Sequence, residues 1–287
     1  MIGLKALRRR IGSIKSTQQI TRAMKMVAAA RLRRAQERII EARPYADKMR
    51  EVLQSLSLRT DPTAHPLLVR RELKRVELVV ITTDRGLCGS FNQNIFRRVE
   101  RFIQENRARY AEISLTIMGR KGLDYFRRRQ VPITRDYVGR FQETDYQAAA
   151  TMGKDVVAAY TDEAVDGVFL VYNEFRSPLV QRVMVKELLP IEPLEAESDH
   201  PAVEYIYEPS AQDILSDLLP RYVEIQIYRA LLESLAGEHG ARMTAMGSAT
   251  ENAEEMIEKL TLVYNKARQS AITTEMLEIV GGAEALR

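Results

Sequence analysis

Both ends of the chain carry a heptad pattern, and that pattern leaves few folds open. From Leu4 to about Leu58, apolar or small residues recur in alternating steps of three and four. They are Leu4, Leu7, Ile11 and Ile14, then a polar break at Gln18, Thr21 and Lys25, then Ala28, Leu32, Ala35, Ile39 and Ala42. Steps of this kind, kept for six repeats, mark a coiled-coil seam. Pro44 is the one helix-breaking residue within the stretch. Helical throughout, the segment spans roughly 80 Å at about 1.5 Å per residue, far beyond an ordinary globular helix. A second seam runs near the other end through Tyr228, Leu232, Leu235, His239, Arg242, Met246, Ala249, Ala253, Met256, Leu260, Val263 and Ala267. Pro220 stands upstream of it, where one helix is expected to end and a longer one to begin. Two such helices flanking one insert close most simply as an antiparallel pair, because the insert returns the chain to where it left. The small seam residues Ala28, Ala35, Ala249, Ala253 and Ala267 suit a close approach of the two. Gly237-Glu238-His239-Gly240 places two glycines in the second seam. Each forgoes about 1 kcal/mol of helix propensity, which puts local stiffness in question there.

Between residues 59 and 208 the period changes. Asp61-Pro62 and His65-Pro66 mark a linker, after which short β-branched runs alternate with amphipathic stretches. Strands are expected at Val76 to Thr82, Ile113 to Met118, Pro132 to Tyr137, Gly167 to Phe175 and Gln181 to Leu189. Helices are expected at Phe91 to Asn106, Lys121 to Arg129 and Asp145 to Tyr160. Glu192 to Pro209 reads as loop with an edge strand at Val203 to Tyr207. Alternation of this sort implies a compact α/β domain with a largely parallel sheet. The expected fold is α+β overall: a long antiparallel coiled coil of N- and C-terminal helices (1–58 and 209–287) with an inserted Rossmann-like α/β domain (59–208), a stalk with a head.

Charge separates the ends further. Residues 1 to 50 hold 14 Lys or Arg and 3 acids, a balance of +11; the rest hold 29 and 36, a balance of −7. A basic arm asks for a polyanionic partner: nucleic acid, an anionic membrane surface or an acidic protein surface. Clusters such as Arg8-Arg9-Arg10 and Arg31, Arg33, Arg34 also fit a merely solvated face. The aromatic interleaving of single-strand binders is missing, since no Phe, Tyr or Trp occurs between residues 1 and 44. With 45% hydrophobic and 29% charged residues the chain is globular. No apolar run reaches membrane-spanning length. A single cysteine excludes an internal disulfide framework and a multi-thiolate zinc site.

The seam does not account for every apolar residue. Ile20, Met24 and Val27 form a stripe off the first seam, and Ile272, Met276, Leu277, Ile279 and Val280 outrun the second. A helix pair cannot bury these faces by itself: either a third surface encloses them or they are an aggregation liability, and the neighbouring charges favour the first.

Chemistry is sparse. Thr82-Thr83-Asp84-Arg85-Gly86-Leu87-Cys88-Gly89-Ser90 lies between an expected strand and helix, where backbone N–H groups can hold phosphate. It lacks the Gly-Lys-Ser/Thr ending of a phosphate loop and the third glycine of a dinucleotide loop; turn geometry also accounts for its glycines. Cys88 followed six residues later by Asn94 is not the phosphatase arrangement, and it reads as a packing or contact residue. His65, His200 and His239 have no ligand partner at metal spacing. No acidic pair is marked by spacing as catalytic.

Three separated blocks, in order, resemble the gamma subunit of F-type ATP synthases. The first runs Arg10-Ile11-Gly12-Ser13-Ile14-Lys15-Ser16-Thr17-Gln18-Gln19-Ile20-Thr21-Arg22-Ala23-Met24-Lys25-Met26-Val27-Ala28. The second is Thr83-Asp84-Arg85-Gly86-Leu87-Cys88-Gly89. The third comprises Ala241-Arg242-Met243-Thr244-Ala245-Met246, Tyr264-Asn265-Lys266-Ala267-Arg268-Gln269 and the run from Ile272 to Ala283.

The resemblance implies a non-catalytic rotor subunit in single copy, its helices inside a ring of three alpha and three beta subunits. The head would join the epsilon subunit and the membrane c-ring, and proton-driven rotation would cycle the beta catalytic sites. It implies no cofactor bound by this chain, with ATP, ADP and magnesium held in the partner subunits, and no nucleic acid. Its expected place is peripheral, on the cytoplasmic face of the bacterial plasma membrane. Contacts to beta subunits are implied for Met24, Arg22, Lys25, Arg85, Cys88, Arg242, Arg268, Gln269 and Thr273, with Arg31 and Arg33 among the basic candidates. Ile20, Val27, Ile272, Met276, Leu277, Ile279 and Val280 would line the bearing near the shaft tip. On residues alone, a basic coiled-coil nucleic-acid-binding protein and a small-molecule enzyme with a pocket beside residues 83 to 90 stay open.

Overall fold

Apolar periodicity sets the two longest elements of the computed structural model, which describes residues 3–57, 65–141, 146–192 and 210–284. Helix α1 is Leu4–Ser57, 54 residues, and helix α5 is Ala211–Glu284, 74 residues. Both run unbroken through a proline. Pro44 lies on the exposed side of α1. The expected break at Pro220 does not occur. Buried Leu215, Leu219 and Val223 hold that stretch in place, and such packing offsets the roughly 3 kcal/mol that a mid-helix proline costs.

The chain forms two compact units, Met1–Ala28 with Met243–Arg287, and Ala29–Arg242. Their limits fall inside both long helices, not at the helix ends where the composition shifts. In α1 the seam from Leu4 to Ala42 is buried or half-buried at every position but Lys25, and the same stepping continues past Pro44 through Ala46, Met49, Leu53 and Leu56. In α5 the seam holds to Met246 and then slips. The covered stripe proceeds through Thr250, Ala253, Ile257, Leu260, Tyr264, Ala267 and Ala271, leaving Met256 and Val263 exposed. Two successive steps of four at Arg242, Met246 and Thr250 absorb the roughly 20° per heptad by which a straight helix drifts from a strict seven-residue repeat.

In the first unit the two helices run antiparallel. The hydroxyls of Thr21 and Thr250 share a 2.8 Å hydrogen bond, and the Lys25 side chain lies against Gly247. Ascent along one helix is therefore descent along the other.

The second unit is built on a five-stranded sheet: β1 (Arg75–Ile81), β2 (Glu112–Met118), β3 (Ile133–Tyr137), β4 (Gly167–Phe175) and β5 (Gln181–Leu189). The order is β3-β2-β1-β4-β5, parallel except for β5, which pairs antiparallel with β4. The parallel part is the Rossmann-like half expected from the sequence, and each strand lies within a residue of its expected place. Helices α2 (Phe91–Asn106) and α3 (Arg120–Arg127) cover one face around Leu78, Val80, Ile95, Phe96, Ile117 and Phe126. On the other side lies α4 (Tyr146–Thr161), where Tyr137 Oη donates to Asp155 Oδ2 at 2.5 Å. A 3-10 turn at Pro66–Leu68, absent from the sequence reading, is capped by His65 Nδ1 accepting from the Leu67 amide. The expected edge strand at Val203 to Tyr207 lies outside the described residues.

Residues 231–240 of α5 are buried on every side, which no two-helix seam would achieve. Here the helix beds into the α/β unit, and its two glycines are the means. A Cβ on Gly237 would stand 3.0 Å from Phe91 Cε2, and one on Gly240 would stand 3.0 Å from the Pro178 Cα. Bare backbone lets the helix pass this close, so packing secures the stretch that propensity alone left soft.

Candidate partner-contact surfaces

The loop after β1 is knitted into the domain at nearly every polar group. Asn92 Oδ1 accepts from the Thr83 amide (3.1 Å), and Thr83 Oγ1 donates to the Arg85 carbonyl (2.6 Å). Asp84 Oδ1 accepts from the amides of Arg120 (2.9 Å) and Gly139 (3.0 Å). Leu87 takes a positive φ of 64°, a conformation that costs a non-glycine residue of order 1 kcal/mol. The residue is 64% exposed. Arg85 is exposed beside it.

Helix α5 closes over this loop from within the same unit. Arg242 Nη2 donates to the Gly86 carbonyl at 2.9 Å, while its Nη1 lies 2.5 Å from Glu238 Oε1. Glu238 is wholly buried and its other oxygen is 2.9 Å from His239 Nδ1. Burial pushes the Glu238 carboxyl up, but His239 and Arg242 outweigh it and hold the group below its ordinary value. Cys88 is 2% exposed and receives an amide hydrogen bond from Asn92 Nδ2 at 3.4 Å. Burial, the largest influence, drives its thiol pKa up in spite of the Arg242 charge. A buried, protonated thiol is a packing residue, not a nucleophile. Arg85, Cys88 and Arg242 are thus brought together, with only Arg85 offering its side chain outward.

The same helix fills the place where open α/β sheets hold ligands. That place is the crevice beyond the carboxyl ends of strands at the switch of direction, here between β1 and β4. Ser234 Oγ accepts from the Asn173 amide (3.3 Å), and Gly237 packs against Phe91 and Asn173. The pocket beside residues 83 to 90 that a small-molecule site would need is occupied by α5. Among the described residues no group of three or more His, Cys, Asp or Glu is arranged to hold a metal ion.

Elsewhere the helices present bare apolar and basic side chains. Ile20 and Val27 are exposed at 59% and 52%, whereas Met24 is half-covered. Met26, which the seam reading passed over, is 63% exposed. Arg22 and Lys25 stand in solvent. Near the end of α5, Ile272, Met276, Leu277, Ile279 and Val280 are all between 49% and 72% exposed. Arg268, Gln269 and Thr273 are exposed too, with Thr273 Oγ1 donating to the Gln269 carbonyl at 3.0 Å. Leu262, Leu179 and Val180 are further exposed apolar residues that sequence reasoning missed. Leu87 had a local signal, being a large apolar residue between glycines in a turn.

A family model described as ATP synthase matches residues 3–286. The ATP synthase gamma chain of Trichlorobacter lovleyi is 51% identical over 288 residues, covering all of both chains. The chain belongs to the ATP synthase gamma-chain family. The gamma chain of Geotalea daltonii is 50% identical over 287 residues, again end to end. Among solved structures, the central stalk and c-ring of Tetrahymena thermophila mitochondrial ATP synthase contains a chain that is 29% identical. Its TM-score is 0.61, and the match covers 80% of this chain and 99% of that one. A chain of the Euglena gracilis mitochondrial enzyme shares the fold at 21% identity, with a TM-score of 0.70 over 99% of this chain and 94% of that one. Family membership thus spans the helices and the α/β unit alike. No described helix of this gamma-chain family member is long and apolar enough to cross a membrane.

Proposed function

We propose that the chain is the central-stalk rotor subunit of an F-type ATP synthase, coupling proton-driven rotation of a c-ring to conformational cycling of the beta catalytic sites, in synthesis and, reversibly, in hydrolysis. The observation that carries this reading is the exposed apolar run from Ile272 to Val280, in a chain that matches gamma chains over its full length. Such a surface needs an enclosing partner, and a ring of alpha and beta subunits supplies one. Arg22, Lys25, Arg31 and Arg85 are exposed cations that suit acidic loops of beta, and Arg33 is exposed as well, though paired with Glu37 at 3.2 Å. Arg268, Gln269 and Thr273 are the proposed contacts deeper in the ring. Arg242 and Cys88, being buried, act by holding the loop that presents Arg85 and Leu87.

The chain itself does no bond chemistry in this scheme. It works by differential contact: a shaft touching all beta subunits equally would shift no equilibrium, so its asymmetry sets which site is tight and which is open. ATP, ADP and magnesium belong to the partners. The α/β unit joins the epsilon subunit and the c-ring at the cytoplasmic face of a bacterial plasma membrane.

Co-expression with the alpha and beta subunits of the same genome, followed by size-exclusion chromatography and ATPase assay, tests the reading. Co-elution with an alpha–beta hexamer and restored multi-site turnover are expected. No co-elution, together with steeply salt-dependent binding to random duplex DNA, would overturn it in favour of a nucleic-acid arm.

A further inference from the structure

A cleft of about 1180 Å³ opens between residues 38–47 of α1 and the helix α4, with residues 221–233 of α5 as its floor. Tyr45, Tyr146 and Tyr228 line it, and Tyr45 is 57% exposed. Tyr146 and Tyr228 meet edge to face at 5.7 Å, and Tyr146 Oη donates to Glu224 Oε2 at 2.5 Å. This wall is therefore pre-formed, and one of the cleft's acids is already engaged. Glu233 is engaged as well, 3.0 Å from Arg229 Nε. Four other cations of the cleft, Arg38, Arg43, Lys154 and Arg221, stand open to solvent against two open acids, Glu41 and Asp47. A tyrosine hydroxyl cancels no charge on Glu224, so the cleft as a whole holds five cations against four acids, an excess of one positive charge over an aromatic and aliphatic interior, with the open cations at its rim.

Tyrosine and arginine are the residue types that carry most binding energy at protein interfaces. A groove with two helical walls and a helical floor is completed by a further helix packing along it. The wall from 38 to 47 is roughly 15 Å long at about 1.5 Å per residue, close to three turns. We propose that this cleft receives an acidic, amphipathic helix of a partner subunit, its apolar edge on the tyrosines and its carboxylates against Arg38, Arg43, Lys154 and Arg221. The proposal rests on the reading of the chain as one subunit of a larger assembly.

The test uses Tyr45→Cys and Lys154→Cys, on opposite walls, in the full chain; the native Cys88 is buried and gives little background. Maleimide labelling is timed on the free chain and on the complex purified after co-expression with alpha, beta and epsilon subunits of the same genome. Both positions are expected to label an order of magnitude more slowly in the complex. Adding Arg43→Glu with Arg221→Glu should restore most of the free-chain rate while the complex still assembles. A benzophenone maleimide carried at position 45 should then cross-link, by mass spectrometry, to a helical segment rich in Asp and Glu. An assembled complex in which both cysteines label as fast as in the free chain overturns the proposal. So does a cross-link to a basic or non-helical segment, or to a second copy of this chain. Failure of the complex to form would instead overturn the subunit reading, and this proposal with it.

Discussion

Gly240 and Pro178 are in contact through backbone alone: a Cβ on Gly240 would stand 3.0 Å from the Pro178 Cα and 3.3 Å from its carbonyl oxygen. Helix α5 and the β4–β5 turn thus meet with bare backbone on the helix side, and the Phe175 ring lies 3.5 Å from the same position. Gly247, further along the same helix, faces only the flexible end of Lys25, at 3.5 Å and beyond.

Those two glycines should respond oppositely to substitution. Gly240→Val is expected to lower the stability of the full chain by about 2 kcal/mol, because backbone cannot move aside as a side chain can. Gly247→Ala should raise it by up to about 1 kcal/mol through helix propensity. Urea midpoints of the two variants check both signs, and a neutral Gly240→Val would show that the turn yields.

Asp166 gathers the start of β1. Its carboxylate accepts from the Arg75 amide and Nη2, both at 2.8 Å, and from the Lys74 amide at 3.2 Å. The Arg75 side-chain hydrogen bond is the main cause that holds its pKa below the ordinary 3.8. A depressed folded-state pKa contributes stability above the unfolded value and loses it as pH falls through the folded one. Asp166→Asn should therefore cost about 2 kcal/mol at neutral pH. The gap to wild type should narrow once pH drops below the ordinary carboxylate range. Urea melts at neutral and acid pH would reveal a constant gap if the charge were irrelevant.

Thr21 and Thr250 join the two helices of the first unit by their hydroxyls, one donating across to the other while the acceptor's own proton goes back to its helix, to the Gln18 carbonyl from Thr21 or the Met246 carbonyl from Thr250. Single Thr→Val changes should each cost about 1 kcal/mol, and the double change less than the sum, because either single change already removes the one bond the two hydroxyls share. Thermal unfolding of the four proteins of the cycle gives the coupling; strict additivity would mean the hydroxyls do not interact.

Arg268→Ala with Gln269→Ala removes two exposed side chains from α5. Multi-site ATP turnover of the assembled complex should fall, while the circular dichroism and melting of the free chain stay unchanged. Wild-type turnover in the assembled complex would count against their part in coupling.

The alternation of strands and helices from β1 to β5 was legible because each element declares itself over a few residues: Phe91–Asn106, Gly167–Phe175 and Gln181–Leu189 match their expected limits. The site was legible only in part. Arg85, Cys88 and Arg242 were singled out together, yet nothing local says that Arg242 turns inward to the Gly86 carbonyl while Leu87 turns out. That choice is made by Glu238, 151 residues beyond Leu87 in the chain, whose buried carboxylate needs the guanidinium.

The sequence by itself determined the period of the long helices, the polarity of the basic arm and the apolar runs that demand a partner, because periodicity and charge are sums over neighbouring residues. Only the tertiary structure decided that Pro220 is tolerated, that the second seam slips after Met246, and that Gly237 and Gly240 serve close packing. Each of these depends on which distant surface lies against the helix, and the free energy of that packing outweighs the preferences of any single residue.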